Sequence, residues 1–239
     1  MRQGSAGHVP GRTLLAGAIG FLIVFLILTV VVTTHGFDGI DRVVRALVHR
    51  SAHPLLTSSM ETASLVGGQP GQIPVVCLGS LLLWRRRRRW GVALPLVMAG
   101  AGVLQLVAKW AVDRPRPNLD AWGFPSAHVL SLVVLCGYLA WAVCTPPPAP
   151  GGSSTDTRRR WRGPSLGLAA AIVGTVAFSR MYLDAHWFSD VLGGFSIGLA
   201  YLLAVVWVIG SVLARSEAQA DPRGDERPGV DVDPIVSPV

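Results

Sequence analysis

Long apolar runs, separated by short polar, basic or glycine- and proline-rich stretches, organise this chain. Residues 14–32 carry no charge and are long enough to cross a hydrocarbon core of roughly 30 Å. Further apolar runs follow at 73–84, 90–107, 129–143, 166–178 and 191–213. The run at 73–84 is short and needs its flanks, including a snorkelling Arg85, to reach across. Between the first two runs lies 37–66, which holds Asp38, Asp41, Arg42, Arg45, Arg50 and Glu61. Its apolar positions Ile40, Val43, Val44, Leu47 and Val48 recur at helical spacing, the pattern of an amphipathic helix lying in the membrane interface. Gly67-Gly68-Gln69-Pro70-Gly71 is then expected to break the chain. The predicted fold is all-α: an integral membrane six-helix bundle with an amphipathic interfacial helix after the first span.

The ends and the longest loop add little. Arg2 and Arg12 precede the first run as they would in a secretory signal. However, the run exceeds the roughly 7–15 residue apolar core of a signal peptide, and it ends in Val-Val-Thr-Thr-His without a cleavage pattern. It reads as a retained span. Pro146-Pro147-Pro148 and the Gly/Ser stretch behind it read as a flexible polar loop. From Arg215 the chain is polar and rich in Pro and Asp, the composition of a disordered tail. The expected organisation is one membrane-embedded domain, 1–214, and a tail, 215–239.

Composition agrees with a membrane protein: 51% of residues are hydrophobic and 15% charged, against about 25% charged in soluble domains. The net charge of +7 raises the question of nucleic acid. The basic residues instead sit in short blocks between apolar runs, without interleaved aromatics, as topology signals do. With six spans and the N-terminus in the cytoplasm, the C-terminus is cytoplasmic too, and cytoplasmic segments hold 14 of the 21 Lys and Arg residues. The five arginines at 85–89 then anchor a cytoplasmic turn. Cys77, Cys136 and Cys144 lie in apolar runs and read as small hydrophobic residues. His49 and His53 are four apart without neighbouring ligands, so no metal site is expected.

This topology brings 109–128 and 179–190 out on the same, outer side. The first holds Lys109, Arg114, Arg116, Ser126 and His128; the second holds Ser179, Arg180, Asp184, His186 and Asp190. Charged groups beside a membrane span are costly and tend to mark function. Well-spaced cations with two histidines and a carboxylate make a phosphate site that needs no metal.

Three motifs carry a resemblance. Lys109 with Arg116-Pro117 follows K-x6-R-P, Pro125-Ser126-Ala127-His128 follows P-S-G-H except at its third position, and Ser179-Arg180 with His186 and Asp190 follows S-R-x5-H-x3-D. In order, spacing and membrane setting the chain resembles the type 2 phosphatidic acid phosphatase superfamily, the lipid phosphate phosphatases, over about residues 73–213. The resemblance implies a metal-independent phosphoric-ester hydrolase without cofactor, with His186 as nucleophile forming a phosphohistidine. Its substrate would be a lipid phosphomonoester or polyprenyl diphosphate, reached on the outer face from the surrounding membrane lipids. It leaves the headgroup, the chain length and the oligomeric state open.

The residue chemistry fits those roles. Phosphoryl transfer is mostly positioning and charge neutralisation. Lys109, Arg116 and Arg180 can surround the non-bridging oxygens, the two guanidinium forks in bidentate fashion. Ser126 can donate its hydroxyl and the backbone around Ala127 its N–H groups if a helix starts there. Asp190 shares a helical face with His186 and can fix its tautomer, while His128 serves as general acid. Arg114 is off the motif spacing and reads as an auxiliary headgroup contact or an interfacial charge; Ser179 is a further auxiliary candidate. Ala127 replaces the usual glycine, which would be strained if that position needs a positive φ. Asp184 can repel an anionic substrate, pair with a cation or point away. Gly194 and Gly198 form a small-xxx-small pattern suited to close helix packing. A vanadate-dependent haloperoxidase keeps the same residues but not the membrane setting. A lipid-phosphate transporter needs the cations but not the pairing of histidine with carboxylate.

Overall fold

The computed structural model describes residues 11–118, 120–145 and 154–220. Every regular element among them is a helix: α1 (Gly11–Thr33), α2 (Asp38–His49), α3 (Pro54–Gly67), α4 (Gln69–Arg86), α5 (Arg88–Val112), α6 (Ala127–Cys144), α7 (Ser154–Tyr182) and α8 (Phe188–Ala220). Five are long and apolar enough to span a membrane, and α3 with α4 forms a sixth span bent by 45°. The loop at 146–153 and the tail from 221 lie outside the described residues. The first residues assigned to the tail, 215–220, continue α8.

The bent span corrects the reading of 37–66 as one interfacial helix. The amphipathic element is only α2. At Pro54 a new helix begins, with proline in its first turn and the His53 side chain accepting from the Leu55 amide, because a proline at that position has no N–H to lose and a preset φ. α3 therefore supplies the missing length of the short apolar run. The glycine-rich break shrinks to Gly68, with Pro70 inside the first turn of α4.

α6 is the centre of the bundle. It is apolar on every side, and Val129, Leu130, Val134 and Tyr138 are completely buried. It packs against α5, α7 and α8, while α1 lies along α8 and α3 along α7. Hydrophobicity cannot hold helices together in lipid, so close packing and hydrogen bonds must. The Tyr138 hydroxyl donates to the Trp90 carbonyl, 3.1 Å, and joins α6 to α5. Gly194 and Gly198 let α8 approach α6. A methyl group at Gly194 would sit 2.5 Å from the Ser126 carbonyl oxygen, and one at Gly198 3.1 Å from that of Leu130.

The two ends of the bundle differ. At the turn from α4 to α5, the guanidinium of Arg88 lies over Trp84 and that of Arg87 over Trp90, each 4.9 Å from the ring centroid. Lys109 lies about 30 Å further along α5 at 1.5 Å per residue. That far end gathers the close of α5, the start of α6, the close of α7 and the start of α8.

Candidate active site

The second motif opens α6. Ser126 is the N-cap residue in an extended conformation, and Ala127 begins the helix. Ala127 is not among the described non-glycine residues with positive φ, which are His35, Asp113, Trp122 and Asp184. Alanine is therefore unstrained where glycine is usual. The Ser126 hydroxyl makes no capping bond and is buried without a partner. The Ser126 amide donates to the Asp190 carbonyl, 2.9 Å, so the second and third motifs are joined through the backbone.

The third motif closes α7 and opens α8. The Arg180 carbonyl accepts from the amides of Ala185 and His186, at 3.0 and 3.1 Å, folding the loop back over the helix end. His186 and Asp190 are both buried, and Nδ1 of the imidazole faces Oδ2 of Asp190 at 3.5 Å, the outer edge of hydrogen-bond range. Nδ1 makes no hydrogen bond at this separation, and the carboxylate stands where a small approach would complete one. Asp190 is itself held on both oxygens: Oδ2 accepts from the Trp187 amide at 2.9 Å and Oδ1 from Arg114 at 3.0 Å. Burial holds His186 below its ordinary protonation range, against the opposing pull of Asp190. Burial thus favours the neutral ring.

The first motif supplies the cations. Lys109 is buried and donates to the Trp122 carbonyl. Arg180 donates through Nη1 to Ser64 of α3. Nε of Arg116 and Nε of Arg180 are buried without partners, unusual for groups that cost free energy when unsatisfied. His128 lies within electrostatic range of Arg180, His186, Arg116 and Lys109. Its Nε2 would sit 2.9 Å from a methyl group placed on Gly68, so the bend of the α3–α4 span forms one wall of the site.

Two candidates stand elsewhere. The Ser179 hydroxyl donates to the Val176 carbonyl at 2.7 Å and is absorbed by its own helix. Arg114 lies among carboxylates, bonded to Asp190 and to Asp41 of α2. Asp184 pairs with cations: Arg45 contacts both its oxygens at 2.8 and 2.9 Å, and His49 one at 3.0 Å. A cavity of about 480 Å³ lies beside the site, bordered by Asp38, Arg42, Arg114, Arg116 and Trp187. A small cleft at the imidazole is bordered by Asp41, Arg45, His186 and Trp187. Among the described residues, no three of His, Cys, Asp and Glu converge as metal ligands.

Sequence reasoning did not single out Asp41, Ser64, Gly68 or Trp187. All four come from segments outside the motifs or between their fixed positions. A charge in the first turn of an amphipathic helix, such as Asp41, signals only a polar face until its neighbour is known.

Comparison with known proteins gives the chain a family and its fold a relative. The chain is 24% identical over 194 residues to phosphatidylglycerophosphatase B of Bacillus subtilis, a match covering 78% of this chain and 92% of that protein. It is 26% identical over 192 residues to an undecaprenyl-diphosphatase of Sulfolobus acidocaldarius, covering 74% and 84%. Its fold matches the crystal structure of a transmembrane PAP2-type phosphatidylglycerolphosphate phosphatase from Bacillus subtilis with a TM-score of 0.71 and 23% identity, over 82% of this chain and 96% of the other. The model of the PAP2 superfamily matches residues 90–212, just over half of the chain and all three motifs. The chain is a multi-pass membrane protein of the PAP2 superfamily, a family of membrane lipid phosphatases.

Proposed function

We propose that this protein hydrolyses a lipid phosphomonoester or a polyprenyl diphosphate on the outer face of the membrane, through a phosphohistidine on His186. The observation that carries this reading is the set of buried, unpartnered atoms, Nε of Arg116, Nε of Arg180, Oγ of Ser126 and Nδ1 of His186, drawn from all three motifs. A buried guanidinium Nε–H without a protein acceptor costs free energy, and an anion seated between the two arginines would complete both.

Nε2 of His186 attacks phosphorus, and Lys109, Arg116, Arg180 and Ser126 neutralise the non-bridging oxygens. As the N–P bond forms, the bond from phosphorus to the leaving oxygen breaks, and His128 gives that oxygen a proton. The positive charge that develops on the imidazole is balanced by the Asp190 carboxylate. Water then attacks the phosphohistidine and gives its proton to His128; the N–P bond breaks and inorganic phosphate leaves. The N-terminal ends of α6 and α8 face the site and favour negative charge there. The arginines at 85–89 stand at the opposite end of α5, and basic residues favour the cytoplasmic side, which supports an outward-facing site with both termini inside.

The test is inorganic phosphate release from dioctanoyl phosphatidic acid by the full-length protein in detergent, with and without EDTA. Activity should persist in chelator, and His186→Ala should abolish both turnover and an acid-labile, base-stable phosphoenzyme. Label surviving that substitution would assign the nucleophile elsewhere. Loss of activity in EDTA would overturn the metal-free reaction. A panel of phosphatidic acid, phosphatidylglycerol phosphate and a polyprenyl diphosphate ranks the substrates.

A further inference from the structure

We propose that Arg114 and Asp41 are positioning residues for this reaction: Asp41 fixes Arg114, and Arg114 fixes the carboxylate of Asp190 that orients His186. This rests on the nucleophile assigned above.

The geometry is a continuous hydrogen-bonded chain in which the partly buried Arg114 joins buried carboxylates. Nη1 of Arg114 donates to Oδ1 of Asp190 at 3.0 Å and to the Ser189 hydroxyl at 2.6 Å. Nη2 donates to Oδ2 of Asp41 at 2.8 Å. Asp41 also accepts from the Ser189 amide at 2.9 Å and from the Ser189 hydroxyl at 2.6 Å. Asp41 is 1% exposed and Ser189 and Asp190 are fully buried. The Arg114 guanidinium lies 5.8 Å from the centroid of the Trp187 ring, the residue after His186, and the indole Nε1 donates to the Pro115 carbonyl at 3.1 Å. Thus the arginine two residues before the phosphate-binding Arg116 has both its forks turned to carboxylates.

This arrangement has two chemical effects. A planar fork bonded at both ends holds Asp190 against rotation, so its Oδ2 stays turned to Nδ1 of His186. Arg114 also shares the negative charge of Asp190 with the imidazole, and Asp41 takes back part of the positive charge of Arg114. The relay therefore sets how strongly Asp190 favours the protonated ring. The charged groups that face His186 are Asp190 from α8, Arg180 from α7, Lys109 from α5, His128 from α6, and Asp41 and Arg45 from α2. None of the others bonds Asp190 through a side chain.

The test is the pH profile of kcat and kcat/KM on dioctanoyl phosphatidic acid for full-length Arg114→Gln, Arg114→Lys, Asp41→Asn and the double variant Arg114→Gln with Asp41→Asn. Arg114→Gln and Asp41→Asn should each lower kcat on the order of 10- to 100-fold, the effect of small misplacements at a reacting group, with KM changed less than about threefold. The acidic limb of kcat/KM reports protonation of the nucleophile in the free enzyme. Removing the cation leaves Asp190 less opposed, so Arg114→Gln moves that limb to higher pH. Removing Asp41 leaves Asp38, 3.6 Å from Nη2, as the remaining anion on that side and frees Arg114 to draw more on Asp190, so Asp41→Asn moves the limb to lower pH. The double variant should be no slower than Arg114→Gln, because both act through one carboxylate. Arg114→Lys keeps the charge without the fork, and should leave the limb in place while still lowering kcat. A raised KM with unchanged kcat would make Arg114 a substrate contact, and limbs moving together would make the network merely structural; either overturns the relay. If Arg114→Gln does not fold, the Asp41→Asn and Arg114→Lys profiles decide alone. Activity retained in His186→Ala would instead remove the nucleophile assignment beneath it.

Discussion

Two carboxylates tie α2 to the stretch around His186, one to the loop before it and one to the first turn of α8 after it, with similar numbers of bonds. Asp41, on the helix side, accepts from the amide and hydroxyl of Ser189 and from Arg114. Asp184, on the loop side, accepts from Nε and Nη2 of Arg45 and from His49. Their surroundings differ. The Asp41 side chain is 1% exposed and that of Arg114 11%, whereas Asp184 is 26% exposed and Arg45 44%. In water-accessible surroundings two hydrated ions gain little by meeting. Where water is excluded, each partner is indispensable to the other, because the survivor of a broken pair has no solvent to turn to. The same number of contacts thus secures one clamp tightly and the other weakly.

The strongest way to break this contrast is to delete the cation from each clamp. Arg114→Met leaves Asp41 and Asp190 buried with the serine and backbone donors alone, and should destabilise the protein by about 3–5 kcal/mol. Arg45→Met removes the equivalent partner of Asp184 and should cost at most about 1 kcal/mol. Thermal unfolding of both variants in one detergent compares them directly. Equal costs would mean that burial does not separate the clamps. Asp41→Asn should fall between them at about 1.5–3 kcal/mol, because the charge is lost but the shape and some hydrogen bonds remain.

The same helix explains which features were legible beforehand. The three motifs declare themselves because phosphate chemistry demands fixed residue types, and the structure brings Lys109, Arg116, Ser126, His128, Arg180, His186 and Asp190 to one end of the bundle. Six spans follow from apolar length, since lipid leaves the backbone few other solutions. The role of α2 does not follow. Asp38, Asp41, Arg42, Arg45 and His49 form one polar stripe at helical spacing, which in a soluble protein faces water. Here part of that stripe turns inward to the segment around His186, while Ile40, Val43 and Leu47 are exposed on the outside of the molecule. In a membrane protein the apolar face can turn to lipid, so the periodicity gives the helix but not its direction. The division at Pro54 was hidden for a related reason. Helix formers continue on both sides of the break, and only packing of α3 along α7 shows that it belongs to a bent span.

The weaker clamp supplies the smallest and most discriminating effect. Asp184 has φ of 53°, a region that asparagine also tolerates, so Asp184→Asn removes the charge without straining the turn. It should cost no more than about 1 kcal/mol and change kcat less than about twofold. The hydrogen bond from Arg45 is the main reason the carboxyl of Asp184 titrates below its ordinary range, with His49 adding to it against partial burial. A carboxyl depressed in the folded state stabilises above its unfolded pKa, roughly 3.9, and loses that contribution as pH falls through the folded value. The stability gap between wild type and Asp184→Asn should therefore be present throughout about pH 5–7 and begin to close once pH falls below about 4. Raising salt from about 0.01 to 1 M, which shortens the screening length from about 30 to 3 Å, should shrink the gap at pH 7 as well. The gap produced by Asp41→Asn should not shrink with salt, because ions cannot enter between Asp41 and Arg114. If salt erased both gaps alike, Asp41 would be as accessible to solvent as Asp184, and burial could no longer explain why one clamp is strong.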